Sequence, residues 1–212
     1  MAQDNLRRDH YHHGDLANAL TMAATDLARE GGPEAVVLRQ AARQVGVSAT
    51  AAYRHFAGHG DLILEVKERC QAALAEHMRA EVAAGEPHAD PREEAVRRLS
   101  ALGRGYVRFA LAEPGLFRTA FTHSESPRDK GPEMFLESPA FAMLVDVLDE
   151  LARLGLIEPA NRPYTEVVAW SMGHGLATLL VDGPLANLSE EQREDAIRRT
   201  LDATVAGICT GR

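Results

Sequence analysis

Apolar positions recur at the helical period through most of the chain. Leu16, Ala19, Leu20, Ala23, Ala24 and Leu27 share one face of an amphipathic helix. That helix starts near Gly14 and Asp15, where Asp15 serves as N-cap or first-turn acid, and stops at Glu30-Gly31-Gly32-Pro33. Two short helices follow, over about 38–44 and 49–56, divided by Val45-Gly46-Val47 and with Ser48 as the cap of the second. A longer helix over about 61–82 turns Leu62, Ile63, Val66, Cys70, Leu74 and Met78 inward. Breakers rich in Pro and Gly then set off helices over about 92–112, 139–155, 163–182 and 189–208. A short helix ends near 121, and the loop after it holds one turn of helix near 133–136. No segment keeps the strand period and no repeat is present. The pattern predicts an all-α fold of about nine helices, with a three-helix head over 1–60 and an antiparallel helical bundle over 61–212.

Composition agrees. Of 212 residues, 35 are alanine and 5% are aromatic, which favours helices. The apolar share of 45% and charged share of 25% are those of a soluble globular protein, not a disordered one. No run of about 18 apolar residues exists, so no membrane span is expected. No secretory leader opens the chain, and Cys70 and Cys209 are too few for a disulfide scaffold, so a reduced, cytoplasmic location is expected. Arginine supplies 21 of the 23 basic residues, a skew that follows from GC-rich coding before any function.

Charge changes the picture more. Residues 1–60 hold six Arg and six acids, whereas residues 61–212 hold 17 basic and 25 acidic residues and so carry the whole net charge of −8. A neutral head on an acidic body is compatible with DNA contact through the head alone. It does not fit an architectural DNA binder, which needs a broadly basic surface.

The two short helices and their Gly-centred turn have helix-turn-helix spacing: Gly46 relieves strain in a tight turn, and Ala42 is small where the helices cross. On spacing alone, a DNA-binding motif and an ordinary helical hairpin fit equally. The side chains separate them. Leu38-Arg39-Gln40-Ala41-Ala42-Arg43-Gln44-Val45-Gly46-Val47-Ser48, then Tyr53-Arg54-His55-Phe56, then Asp61-Leu62, closely resemble the N-terminal domain of the TetR-type repressor family, over roughly 12–66. A weaker resemblance lies in Trp170-Ser171-Met172-Gly173-His174-Gly175-Leu176, which looks like the Trp/His/Gly signature of one ligand-domain group of that family, as does Tyr11-His12-His13-Gly14-Asp15-Leu16 at the start.

The resemblance implies a ligand-responsive transcriptional regulator, most often a repressor. It implies a homodimer on a palindromic double-stranded operator, released by a small-molecule inducer. The helix after Ser48 would enter the major groove. Tyr53, His55 and the Ser48 hydroxyl would meet phosphates, Arg39 a base or phosphate, and Ala49 and Thr50 the base edges, with a thymine methyl as the partner of Ala49. Two positions depart from the family. Val37 replaces the usual Ser or Thr cap, and His59 replaces the usual Lys, giving a weaker, pH-dependent phosphate contact.

In the bundle, Tyr106, Phe109, Phe117, Phe121, Phe141, Trp170 and His174 are the candidate lining of an inducer cavity between helices 92–121, 139–155 and 163–182. Arg104, Arg108, His123 and His174 are candidates for orienting a polar or anionic group. The same aromatics, with Phe135, Met134, Met143 and Met172, serve equally as core. Dimerisation is expected through the last two long helices, whose apolar faces carry Val168, Trp170, Ala177, Leu180, Val181, Ile197, Leu201, Val205 and Ile208. His10, His12 and His13 have no Cys or acid at ligand spacing, and read as a solvated arm with Arg7 and Arg8 that reaches a minor groove. No metal, cofactor or membrane is expected. No catalytic constellation or phosphate loop stands out. The alternative to a regulator is a helical small-molecule-binding protein or enzyme with an incidental helix-turn-helix.

Overall fold

The computed structural model describes residues 13–209; the His10 and His12 arm and the opening of the resemblance lie outside them. Among the described residues the chain is entirely helical, with ten α-helices and two short 3-10 turns. They are α1 (His13–Gly31), α2 (Leu38–Val45), α3 (Ala49–Ala52), α4 (His59–Ala84), α5 (Pro91–Ala112), α6 (Pro114–Ala120), α7 (Pro132–Leu136), α8 (Pro139–Arg153), α9 (Thr165–Val181) and α10 (Glu190–Ile208). No described helix is long and apolar enough to cross a membrane.

The chain forms two compact units. The first comprises Met1–Cys70 with Gly115–Gly131, and the second Gln71–Pro114 with Pro132–Arg212. This differs from a division at residue 60. The start of α4 packs with the head, burying Leu62, Ile63, Leu64 and Val66 there, and α6 returns to the head from a distance in sequence.

In the first unit, α1 buries Leu20, Ala24 and Ala28 against Leu38, Ala41 and Ala42 of α2 and Ala52 of α3. Helix α6 comes so close to the end of α1 that a Cβ on Gly115 would lie 2.2 Å from the Ala28 carbonyl oxygen, so only glycine fits. The loop after α6 is fastened to the start of α4. Ser124 Oγ donates to the Gly60 carbonyl (2.8 Å), Ser126 Oγ donates to Asp61 Oδ1 (2.6 Å), and Lys67 Nζ pairs with the buried Asp129 (3.4 Å).

In the second unit, α5 packs against α8, α9 and α10. Its inward face carries Val96, Leu99, Leu102, Tyr106 and Phe109, which meet Phe141, Val147, Leu148 and Leu151 of α8, Leu176 and Leu180 of α9, and Ile197, Leu201 and Val205 of α10. The starts of α5, α8 and α10 are set by side chains. Asp90 accepts from the Arg92 N–H, Ser138 from the Phe141 N–H, and Ser189 forms a capping box with Gln192.

Candidate nucleic-acid interface and apolar cavity

The turn between α2 and α3 is built by two residues. Gly46 ends α2 in the left-handed region (φ 80°), where a side chain would be strained, and the Val47 N–H returns to the Ala42 carbonyl at 2.9 Å. Ser48 then starts α3, its Oγ accepting from the Ala51 N–H at 3.2 Å. Val37 gives α2 no side-chain cap. Helix α3 is shorter than the sequence pattern predicts. After Ala52 the ladder tightens, with Arg54 and His55 N–H groups bonding to carbonyls three residues back, so Tyr53–His55 form a turn.

The outer surface of this motif is polar and basic. Arg39, Ser48, Thr50, Tyr53 and His59 are exposed, while Ala49 and His55 are half-buried. Gln40, Arg43, Gln44 and Arg54 are exposed beside them. Residues 35–60 contain three Arg and no acid, a run that charge totals for the two halves of the chain conceal; a window centred on the motif finds it. Exposed Glu34 precedes this run; the acid that follows it, Asp61, is turned inward. It accepts from the Ser126 hydroxyl and the Ala57 N–H, and the Ser126 bond holds its carboxyl below the usual range.

The second unit contains a cavity of about 50 Å³ among α4, α5, α7, α8, α9 and α10. Tyr106, Phe141 and Trp170 line it, together with Phe135 of α7. Other predicted lining residues lie elsewhere. Phe109 is buried edge-on to His77 (5.9 Å), and Phe117 and Phe121 pack edge-to-face (5.3 Å) within the first unit. The predicted orienting groups are also placed differently. Arg104 pairs with Glu81 (2.9 Å), Arg108 bridges Glu81 (3.1 Å) and Glu194 (2.9 Å), and His123 is exposed in the first unit. Phe135 was legible only as a core aromatic, because nothing local shows where a loop helix will lay its ring.

Tyr106, Trp170 and His174 form one hydrogen-bonded group. His174 Nδ1 lies 2.7 Å from Tyr106 Oη, and Trp170 Nε1 donates to the same oxygen at 3.3 Å. The donor order that satisfies all three runs from the indole N–H to the phenol oxygen and from the phenol O–H to a neutral imidazole. Burial favours that state, because it pushes His174 down and Tyr106 up from their ordinary values. The Trp and His of the signature are thus tied through a tyrosine 64 residues upstream of Trp170.

Residues expected at a dimer interface divide in three, with Trp170 and Val181 half-buried. Ala177, Leu180, Ile197, Leu201, Val205 and Ile208 are core of the second unit, whereas Val168 is exposed. The face of α9 left outside is also apolar: Val167, Val168, Met172 and Leu179 are each at least 40% exposed. With apolar residues on both sides of α9, periodicity alone could not choose the inward one. Among the described residues no cluster of His, Cys, Asp and Glu could hold a metal ion.

An exposed, acid-free helix-turn-helix in a chain that also folds a separate helical unit is the fold of a transcription regulator of the helix-turn-helix class. Residues 20–66 match the family model of bacterial regulatory proteins, tetR family, and residues 99–204 match the tetracyclin repressor-like C-terminal domain. The chain belongs to the TetR family. Among solved structures it is similar to a protein of unknown function from Rhodococcus sp. RHA1, with 26% identity and a TM-score of 0.75 over 96% of this chain and 100% of that one. It shares its fold with a TetR family transcription regulator from Marinobacter aquaeolei VT8 (22% identity, TM-score 0.60, 92% and 96% of the two chains). It also shares it with the transcriptional regulator FadR from Bacillus subtilis, solved in complex with stearoyl-CoA (15% identity, TM-score 0.64, 90% and 98%). No curated protein matches the chain.

Proposed function

We propose that the chain is a cytoplasmic, ligand-responsive repressor that binds a palindromic operator as a homodimer and is released by a small apolar ligand. The observation that carries this reading is the exposed helix-turn-helix whose 26-residue surround, residues 35–60, holds arginines and no acid. Arg39 is the base reader, with Thr50 and Ala49 on thymine methyls; Ser48, Tyr53, His55 and His59 hold phosphates. One four-residue α3 reads too few bases to specify a site, which argues for two heads on half-sites about 34 Å apart or a multiple of that. The apolar outer face of α9 suits a second copy.

Support for ligand control comes from the cavity in the second unit. FadR, which has the same fold, was solved with stearoyl-CoA, a ligand that joins an apolar acyl chain to a charged CoA group. Tyr106, Phe141 and Trp170 are the residues on which a ligand would rest, with His174 holding the Tyr106 hydroxyl. Helix α4 runs without a break from the first unit into the second, so a shift of its later turns is transmitted to the head. The reading is tested by titrating the protein onto its own upstream DNA. Cooperative, dimeric and steeply salt-dependent binding to one fragment is expected; equal affinity for all fragments contradicts it.

A further inference from the structure

Phe135 stands on α7, a helix of five residues, and its ring lies flat on Trp170, centroids 4.6 Å apart and planes at 25°. Phe141 meets Phe135 edge-on at 5.6 Å and Trp170 edge-on at 6.4 Å. The three rings make a slot in which Trp170 is the floor, Phe141 the end wall and Phe135 the filling. Beside it the cavity of about 50 Å³ has room for a few water molecules. Ligand sites need about 300 Å³ or more, so a ligand has to displace part of the wall. The segment on the short α7 is the part held by the least helix.

The wall also restricts the ligand's charge. None of its 16 residues is ionisable at neutral pH, since the one titratable group, Tyr106, is held protonated by burial. The Tyr106 hydroxyl is already engaged by Trp170 and His174, and Thr204 Oγ1 donates to the Thr200 carbonyl. The arginines of α5 that might meet an anion, Arg104 and Arg108, are paired with Glu81 and Glu194. A carboxylate or phosphate placed here would lose its hydration and gain no cation.

Deepening the ligand-responsive reading above, and resting on it, we propose that Phe135 is a placeholder for the ring of an uncharged aromatic hydrophobe. The ligand stacks on Trp170 in its stead and moves α7 outward. The chain enters α7 directly from Gly131, whose N–H is held by Asp129 (2.8 Å) in the loop fastened to the start of α4. Displacing α7 therefore pulls on the loop that is fastened to the start of α4.

Trp170 is the sole tryptophan, so its fluorescence reports the slot directly. Naphthalene and 2-naphthoate, a ring and the same ring bearing a carboxylate, are titrated against the full chain, Phe135→Ala and the milder Phe135→Leu, with circular dichroism confirming the fold. Naphthalene is expected to change Trp170 emission saturably, and to bind Phe135→Ala about tenfold more tightly because no placeholder has to be displaced. Phe135→Leu is expected to fall between the two, and serves if the alanine variant does not fold. 2-Naphthoate is expected to bind about a hundredfold more weakly. Equal or tighter naphthoate binding, no gain on shortening Phe135, or no saturable response in any of the three proteins overturns the proposal. A gel shift on upstream DNA separates the two readings. Specific DNA binding without these probe effects leaves the repressor standing and removes the placeholder; the expected probe effects without DNA binding do the reverse.

Discussion

The two units place their polar groups in opposite directions. In the first, Arg39, Arg43, Thr50, Tyr53 and Arg54 face outward from a run that holds no acid; of the two acids that flank the run, Glu34 is exposed and Asp61 is turned in against Ser126. In the second, Tyr106, Trp170 and His174 face one another beside an apolar cavity, and the outer arginines of α5 are neutralised by Glu81 and Glu194. The difference teaches where each kind of recognition can occur. A polyanion meets uncompensated cations only where no acid competes, and a buried apolar ligand needs a site whose own polar groups are already satisfied.

Gly115→Ala should break the comparison most severely. Its Cβ would overlap the Ala28 and Arg29 carbonyls, and overpacking of that kind costs about 3 kcal/mol, all of it in the first unit. The expected result is lost DNA binding at growth temperature with Trp170 emission unchanged. A parallel change at Trp170 would show that the two units do not hold their structures separately.

Substitutions on the basic surface sharpen the comparison. Arg39→Ala should cost about 1–3 kcal/mol on the operator and relax specificity at one base pair, whereas Tyr53→Phe should weaken all sequences alike. Competition binding with single-base operator variants distinguishes them. Equal loss on specific and random DNA for Arg39→Ala would assign it to phosphate.

Tyr106→Phe addresses the inward-facing group. It leaves the Trp170 N–H and His174 Nδ1 without the hydroxyl they share, which should lower stability by about 1–2 kcal/mol in chemical denaturation. An unchanged or higher stability would mean the three side chains are not a unit.

The smallest effect expected is that of pH. Burial holds the His174 pKa below its ordinary value, so the unfolded chain binds its proton first as pH falls. Stability from this residue is complete above about pH 6.5 and is lost as pH falls below it, with the native imidazole protonating last. The melting temperature should therefore drop between pH 7 and 5, and His174→Gln should flatten that drop. A variant with the same pH profile as the parent would remove His174 from the account.

How far the sequence could be read follows from the range of the interactions. The helix-turn-helix was legible because it is local: Gly46, the Ser48 cap and the Tyr53–Phe56 block lie within a few residues of each other. The C-terminal end of α3 was not, since the ladder tightens after Ala52, where the Arg54 and His55 N–H groups bond to carbonyls three residues back. In the second unit, Trp170 and His174 were visible as a pair on one face of α9, but their tie to Tyr106 was not, because it joins residues 64 and 68 positions apart. Phe117 and Phe121 follow α5 in sequence yet pack in the head, so position along the chain misassigned them to the cavity. Arg104 and Arg108 looked available until the fold supplied Glu81 and Glu194.

The central claim is that the acid-free helix-turn-helix binds a specific duplex. Fluorescence anisotropy of the full chain on its own upstream region, repeated across a salt series and against random DNA, measures this directly. Specific binding is expected to exceed random binding by about a thousandfold or more, with log affinity falling linearly against log salt. Affinities for upstream and random DNA that coincide at every salt concentration would contradict it.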